Sequence, residues 1–229
     1  MPIDPNLVRS IETAIAAAIS PHLRSPSHGG DLYELYIFSL VIEAARSEGA
    51  AVHFQDVHGT TVTRNFVFRS SPGRIFSRVH PYTHALIQFK GCPDLEVHLG
   101  IYVVGKSKVA HECDVAVLFA DAAATCRQED VHPKSTQLVL SAECKFYVQS
   151  TMGVSLARSY LGLVSDIKHS HRDCYFVAVS ESNSVEKLFV QHQKDWETGV
   201  APNDSRARPE RLKSSFERAF RNFKLRESA

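Results

Sequence analysis

The chain has 229 residues, 44% hydrophobic and 22% charged, with 26 Lys and Arg against 25 Asp and Glu. That length suits one domain with a real core, and a formal charge of +1 excludes a chain that is basic as a whole, so any nucleic-acid surface must be a local patch. No apolar run reaches the length of a membrane span, and Asp4, Arg9 and Glu12 interrupt the N-terminal stretch in a way no secretory signal would.

Asp4-Pro5 reads as an N-cap followed by proline at the first helical position, and Leu7, Ile11, Ile15 and Ile19 recur at helical spacing. After a loop, SPSHGG, the run DLYELYIFSLVIEAARSEGA predicts a helix apolar nearly all round. Asp31 and Glu34 have capping-box spacing at its start and Gly49 stops it. A helix so apolar belongs at the centre of a fold.

From Ala51 onward the pattern becomes β-rich, with VHFQDV, TTVTRNFVFR, RIFSRVH and HALIQF as predicted strands between Gly, Pro and Ser turns. DLEVHLGIYVV places Leu95, Val97, Leu99, Ile101 and Val103 on one face, and GKSK turns the chain into VAHECDVAVLF. A polar insertion, Ala120 to Ser135, precedes the strand that contains SAECKFYV. TMGVSLARSYLGLVSDI then predicts an amphipathic helix, DCYFVAVS a strand covered on both faces, and SVEKLFVQH a helix. A polar linker from Glu197 to Arg206 leads to a last helix presenting Leu212, Phe216, Phe220 and Phe223. This order predicts an α/β (α+β) chain with a central mixed β-sheet flanked by helices. It reads as one domain over 1–229, with a core at about 31–192, a β-rich insertion over 51–90, and a basic amphipathic helix at about 207–226.

Five scattered cysteines, never spaced as CxxC, point to reduced thiols in a cytoplasmic protein and against a disulfide framework or a structural zinc site.

The octet SAECKFYV carries a glutamate and a lysine two residues apart inside a predicted strand. Alternation puts Leu138, Leu140, Ala142, Cys144, Phe146 and Val148 on one face and Ser141, Glu143, Lys145 and Tyr147 on the other. The preceding strand carries Glu112 and Asp114 opposite Val115, Val117 and Phe119. On neighbouring strands Asp114 and Glu143 come close, with Lys145 beside them. Carboxylate oxygens suit Mg²⁺, and a lysine there can orient water or offset developing charge. The alternative is a cross-strand ion pair of Lys145 with Asp114 or Glu112, contributing at most about 1 kcal/mol.

An Asp on one strand, Glu-x-Lys on the next, then a helix and a further strand resembles the PD-(D/E)XK, or restriction-endonuclease-like, nuclease superfamily. The resemblance implies a restriction-endonuclease-like core and an Mg²⁺- or Mn²⁺-dependent nuclease acting on DNA, in defence against foreign DNA or in repair. It implies Asp114 and Glu143 as metal ligands, Lys145 as the residue assisting the nucleophilic water, and Glu34 and the Cys144 main-chain carbonyl as further ligands. A homo-oligomer or a partner protein of a larger system fits the same class, as does a catalytically inactive fold kept as a binding or assembly module. Cys113 stands where the family name has proline, and the span from Asp114 to Glu143 is long.

Glu34 shares a stripe with Ile37, Phe38 and Val41, against which stands its capping-box role; Glu43 points elsewhere. A rival Asp166-Ile167-Lys168 falls at a helix end and reads as a solvated terminus, His111 falls on the opposite strand face from Asp114, and His169 and His171 read as loop histidines. Cys113 and Cys144 fall on the face away from the acids. Between Arg206 and Arg226 eight cations face two acids, so Arg211, Arg218 and Arg221 are candidate phosphate contacts, with Arg158 a further one; a solvated helix face is the alternative.

Overall fold

In a computed structural model covering residues 5–19, 29–69, 71–79, 81–146, 152–169 and 173–228, seven strands form one mixed sheet in strict sequence order. The strands are β1 (Ala51–Gln55), β2 (His84–Gln88), β3 (Leu95–Val104), β4 (Ala110–Phe119), β5 (Leu138–Lys145), β6 (Asp173–Ala178) and β7 (Asp195–Thr198). β1 to β5 pair antiparallel, and β6 and β7 add in parallel. The parallel additions need crossovers, supplied by α4 (Val154–Ile167) and α5 (Asn183–Gln191). Those helices and α3 (Ala120–Glu129) cover one face of the sheet; α1 (Pro5–Ala18), α2 (Gly29–Ser47) and α6 (Arg208–Glu227) cover the other.

α2 is the central helix that its composition predicts: every residue from Leu32 to Ala45 is buried except Glu34 and Glu43. It stops where Gly49 takes φ +88° and the Ala50 N–H donates back to the Ala45 carbonyl, a glycine C-cap. Its start differs from expectation. The helix begins at Gly29, so Asp31 lies inside the first turn and the capping-box role for Glu34 falls away.

Further corrections follow from the chain path. TTVTRNFVFR and RIFSRVH form no strands; Phe66 and Phe68 instead pack edge-on against Phe54 and Phe38, and Ile75 enters the opposite layer. Alternating apolar residues there mark an extended segment laid over the sheet, not a ladder. The polar insertion contains α3, and the last two residues of β7, Glu197 and Thr198, fall in the stretch expected as linker. Asp4, residues 25–28 of the SPSHGG loop, Tyr147, Val148, Thr151 and His171 lie outside the described residues.

Two local irregularities reverse the period-2 pattern. In β3, Leu95, Val97 and Leu99 face α2, but Ile101 and Val103 face the α4 layer, with Cys113 beside them. Between them Gly100 takes φ +54° opposite Asp114 in the register, and the ribbon changes face there. A Cβ at Gly100 would sit 3.4 Å from the Ser71 carbonyl oxygen. Gly100→Ala is therefore expected to cost about 1–2 kcal/mol, the left-handed penalty for an L-residue, read as a lower urea midpoint. In β5 a bulge opposite Val117 and Leu118 puts both Val139 and Leu140 on the α2 side and returns Leu138 to the other. Beyond the bulge the predicted alternation holds.

Candidate active site

The β4–β5 ladder ends at Val115↔Ala142. One residue further along β4, opposite the Gly100 turn, Asp114 is 5% exposed and its Oδ2 accepts the Cys144 main-chain N–H at 2.6 Å. A carboxylate thus satisfies a backbone donor that the ended ladder would leave bare. On β5, Lys145 Nζ lies 2.5 Å from Glu143 Oε1 and 3.6 Å from Asp114 Oδ2. The structure therefore brings Asp114, Glu143 and Lys145 together, with the ammonium bridging the two acids. A tilted contact of Tyr33 with Phe146, ring centroids 5.6 Å apart, anchors the N-terminal part of α2 over the end of β5 and holds Glu34 near the same cluster.

Charge is unbalanced here. Burial first, then Asp114, Asp31 and Glu112, together push the Glu34 carboxyl up to about 8, with Lys145 opposing. Asp114 rises to about 6, through burial first and Glu143 second, with Lys145 again opposing. Glu112, at the outer end, is raised by burial and by Asp114. Burial works against the Lys145 charge, yet Asp114 and Glu143 hold its pKa well above the usual lysine range. Four carboxylates share one lysine.

This imbalance sets a pH dependence. Between its ordinary 4.5 and about 8, folded Glu34 keeps a proton that the unfolded chain has released, so stability falls as pH rises through that window. Glu34→Gln removes the slope. In EDTA its melting temperature should match the wild type near pH 4 and exceed it at pH 8, with each kcal/mol moving a chain of this size by about 2–4 °C. Equal melting at pH 8 would place Glu34 outside the cluster.

The other candidates fall elsewhere. Cys144 packs on the α2 side, but Cys113 shares the layer of Glu143 because the ribbon reverses at Gly100. All five thiols are free. Asp166 is no solvated terminus: it accepts from Ser107 N at 2.7 Å and contacts His111 Nε2 at 2.6 Å, which fixes the β3–β4 turn. Lys168 reaches Asp195 at 3.2 Å, and His169 lies 2.9 Å from Ser135 Oγ. Arg158 is exposed on α4.

The basic C-terminal segment is largely neutralised. Arg211 pairs with Glu197 at 2.7 Å, and Arg221 and Lys224 both reach Glu48, at 2.6 and 2.9 Å. Arg206 and Arg208 meet Glu181, and Lys213 pairs with Glu210. Arg218 acts on Tyr175 and Asp173. Apart from the Lys213–Glu210 pair within α6, these cations bind α6 to α2 and to the β6–β7 edge.

No protein-family model, curated protein or solved structure matches this chain.

A second polar cluster is absent from the sequence-based expectations: His84, Glu96 and His98, all buried, offer ligand atoms within 4.8 Å of one another. It is the only three-ligand group of His, Cys, Asp or Glu at that spacing among the described residues. Glu96 and His98 occupy the polar side of the stretch whose apolar side is Leu95, Val97 and Leu99, and that alternation was the available signal. The Asp114 cluster is looser, which matches a hard cation held by one or two carboxylates together with substrate oxygens.

Proposed function

We propose that this chain is a divalent-metal-dependent nuclease with a restriction-endonuclease-like core, hydrolysing phosphodiester bonds in DNA with Mg²⁺ or Mn²⁺. The element order supports it: α2, the antiparallel run β3–β4–β5, α4, then β6 parallel to β5. The observation that carries it is the excess of carboxylate over lysine where β4 and β5 part. A structural ion pair needs one acid per cation. Among the described residues Glu34, Glu112, Asp114 and Glu143 act around one lysine, Lys145, and two of these acids are pushed toward the neutral range. Such a cluster favours a divalent cation, and its oxygens suit a hard one.

Asp114 and Glu143 would hold the ion, with Glu34 and the Cys144 carbonyl as further ligands. When bound, it supplies an activated water and charge neutralisation at the scissile phosphate. Lys145, held protonated by its two acids, takes no proton from that water; it orients the nucleophile and offsets charge developing on the phosphate. Exposed Arg158 is available for a backbone phosphate contact. An activity of this class serves defence against foreign DNA or repair.

The test is cleavage of plasmid, linear and single-stranded DNA, and of RNA, with Mg²⁺, Mn²⁺ or EDTA, beside calorimetry of the metal. Metal-dependent cutting of DNA is the expected result. Metal binding without cutting leaves a nucleic-acid-binding module, and absence of both sinks the proposal.

A further inference from the structure

We propose that His84, Glu96 and His98 form a buried site for one zinc-class transition-metal ion, independent of the Asp114–Glu143 pair. The β2–β3 ladder pairs Ala85 with Val97 and Leu86 with Glu96, so His84 falls opposite His98 and both point to the side of Glu96. The three residues are 1%, 3% and 0% exposed. Glu96 Oε2 lies 2.9 Å from His98 Nε2 and 3.6 Å from His84 Nε2. Two ligands bound tetrahedrally at zinc distances stand about 3.3 Å apart, and the observed separations lie on either side of that value.

His84 distinguishes this cluster from an ordinary buried polar network. Glu96 and His98 are satisfied without any ion: Arg127 grips both Glu96 oxygens, at 2.6 and 2.7 Å, and the Tyr82 hydroxyl lies 3.4 Å from His98 Nδ1. Both ring nitrogens of His84 are enclosed, yet neither has a hydrogen-bond partner among the described residues. Buried polar groups are rarely left so, and an ion on Nε2 satisfies one of them. Metal ligation uses the neutral imidazole, and the ring stands in a fully buried position against Glu96. Arg127 then acts as the outer partner that fixes the ligating carboxylate.

Two imidazoles and one carboxylate select zinc, cobalt, nickel or iron over Mg²⁺. A tetrahedron built on them keeps one position for water. Enclosure on all sides gives the ion a structural role, tying β2 to β3 and, through Arg127, to α3.

The full chain, stripped with EDTA, would be titrated with Zn²⁺ and with Co²⁺ in excess Mg²⁺. One tightly held equivalent per chain is expected, with a rise in melting temperature and visible Co²⁺ d–d bands. His84→Gln should lose the tight equivalent, whereas Glu143→Gln should keep it, which separates this site from the proposed nuclease centre. X-ray absorption on zinc-loaded wild type gives the answer even if His84→Gln does not fold: two imidazoles and oxygen are expected, with no thiolate. No tight equivalent, one that survives His84→Gln, or a spectrum lacking the two imidazoles overturns the proposal.

Discussion

Lys145→Ala is expected to bind Mg²⁺ more tightly than the wild type and to cleave DNA about 10²–10³-fold more slowly, the usual cost of removing one electrostatic donor at a reacting centre. The two effects separate because the ammonium lies between Glu143 and Asp114, at 2.5 and 3.6 Å. There, in the proposed mechanism, it would compete with a divalent cation for the same oxygens while serving the reaction. Glu143→Gln should show the other combination: a comparable loss of rate together with weaker metal binding, because a ligand charge is gone. Calorimetry for the ion and single-turnover cleavage at saturating metal measure both quantities. A purely structural ion pair predicts something different. In that case both variants change stability alone, and neither changes any metal affinity. If Lys145→Ala weakens Mg²⁺ binding, the lysine is not poised between the ligands and the assignment of the site fails.

Arg127→Ala should be the most destabilising single change outside that site. Its guanidinium forks onto Glu96, with side-chain exposures of only 15% and 5%. Burial alone would raise the Glu96 carboxyl, yet the Arg127 hydrogen bonds hold it well below the usual carboxylate range. Removing the arginine leaves a buried, uncompensated charge, for which a loss of about 3–5 kcal/mol is expected, measured by urea unfolding at pH 7 in EDTA. Because the folded pKa of Glu96 is depressed, the stabilisation is present above the ordinary carboxylate range and disappears as pH falls. The gap between wild type and Arg127→Ala should therefore shrink on acidification. Arg127→Met combined with Glu96→Gln should recover much of the loss, since no charge then stays buried alone. A cost below about 1 kcal/mol for Arg127→Ala would mean that water reaches Glu96 in the folded state.

Several elements were legible because they follow from periodicity alone. α2 shows its buried character in a run with almost no polar face, and α6 shows Leu212, Phe216, Phe220 and Phe223 at helical spacing, all buried as expected. β6 was recognisable as a covered strand, with Cys174 and Phe176 on one side and Tyr175 and Val177 on the other. The failures share a physical origin. Phe66 and Phe68 alternate like a strand because an extended segment over a sheet buries every second side chain, with or without ladder partners. α3 and β7 are polar enough to read as loops; one is fastened by the Arg127–Glu96 pair and the other by pairing with β6.

By itself the sequence determined that Glu143 and Lys145 share one face of a strand, since side chains two residues apart on a regular strand point the same way. It also determined that Asp114 lies on the strand before them. Tertiary structure alone decided that Asp114 meets them, because a turn at Gly100 and the end of the β4–β5 ladder aim its carboxylate at the Cys144 N–H. It likewise decided that the cations of α6 are occupied by Glu48 and Glu197, and that His84 stands opposite His98. Charge and spacing are local properties of a chain. Which charges find each other depends on strand register and helix placement, and no local pattern encodes those.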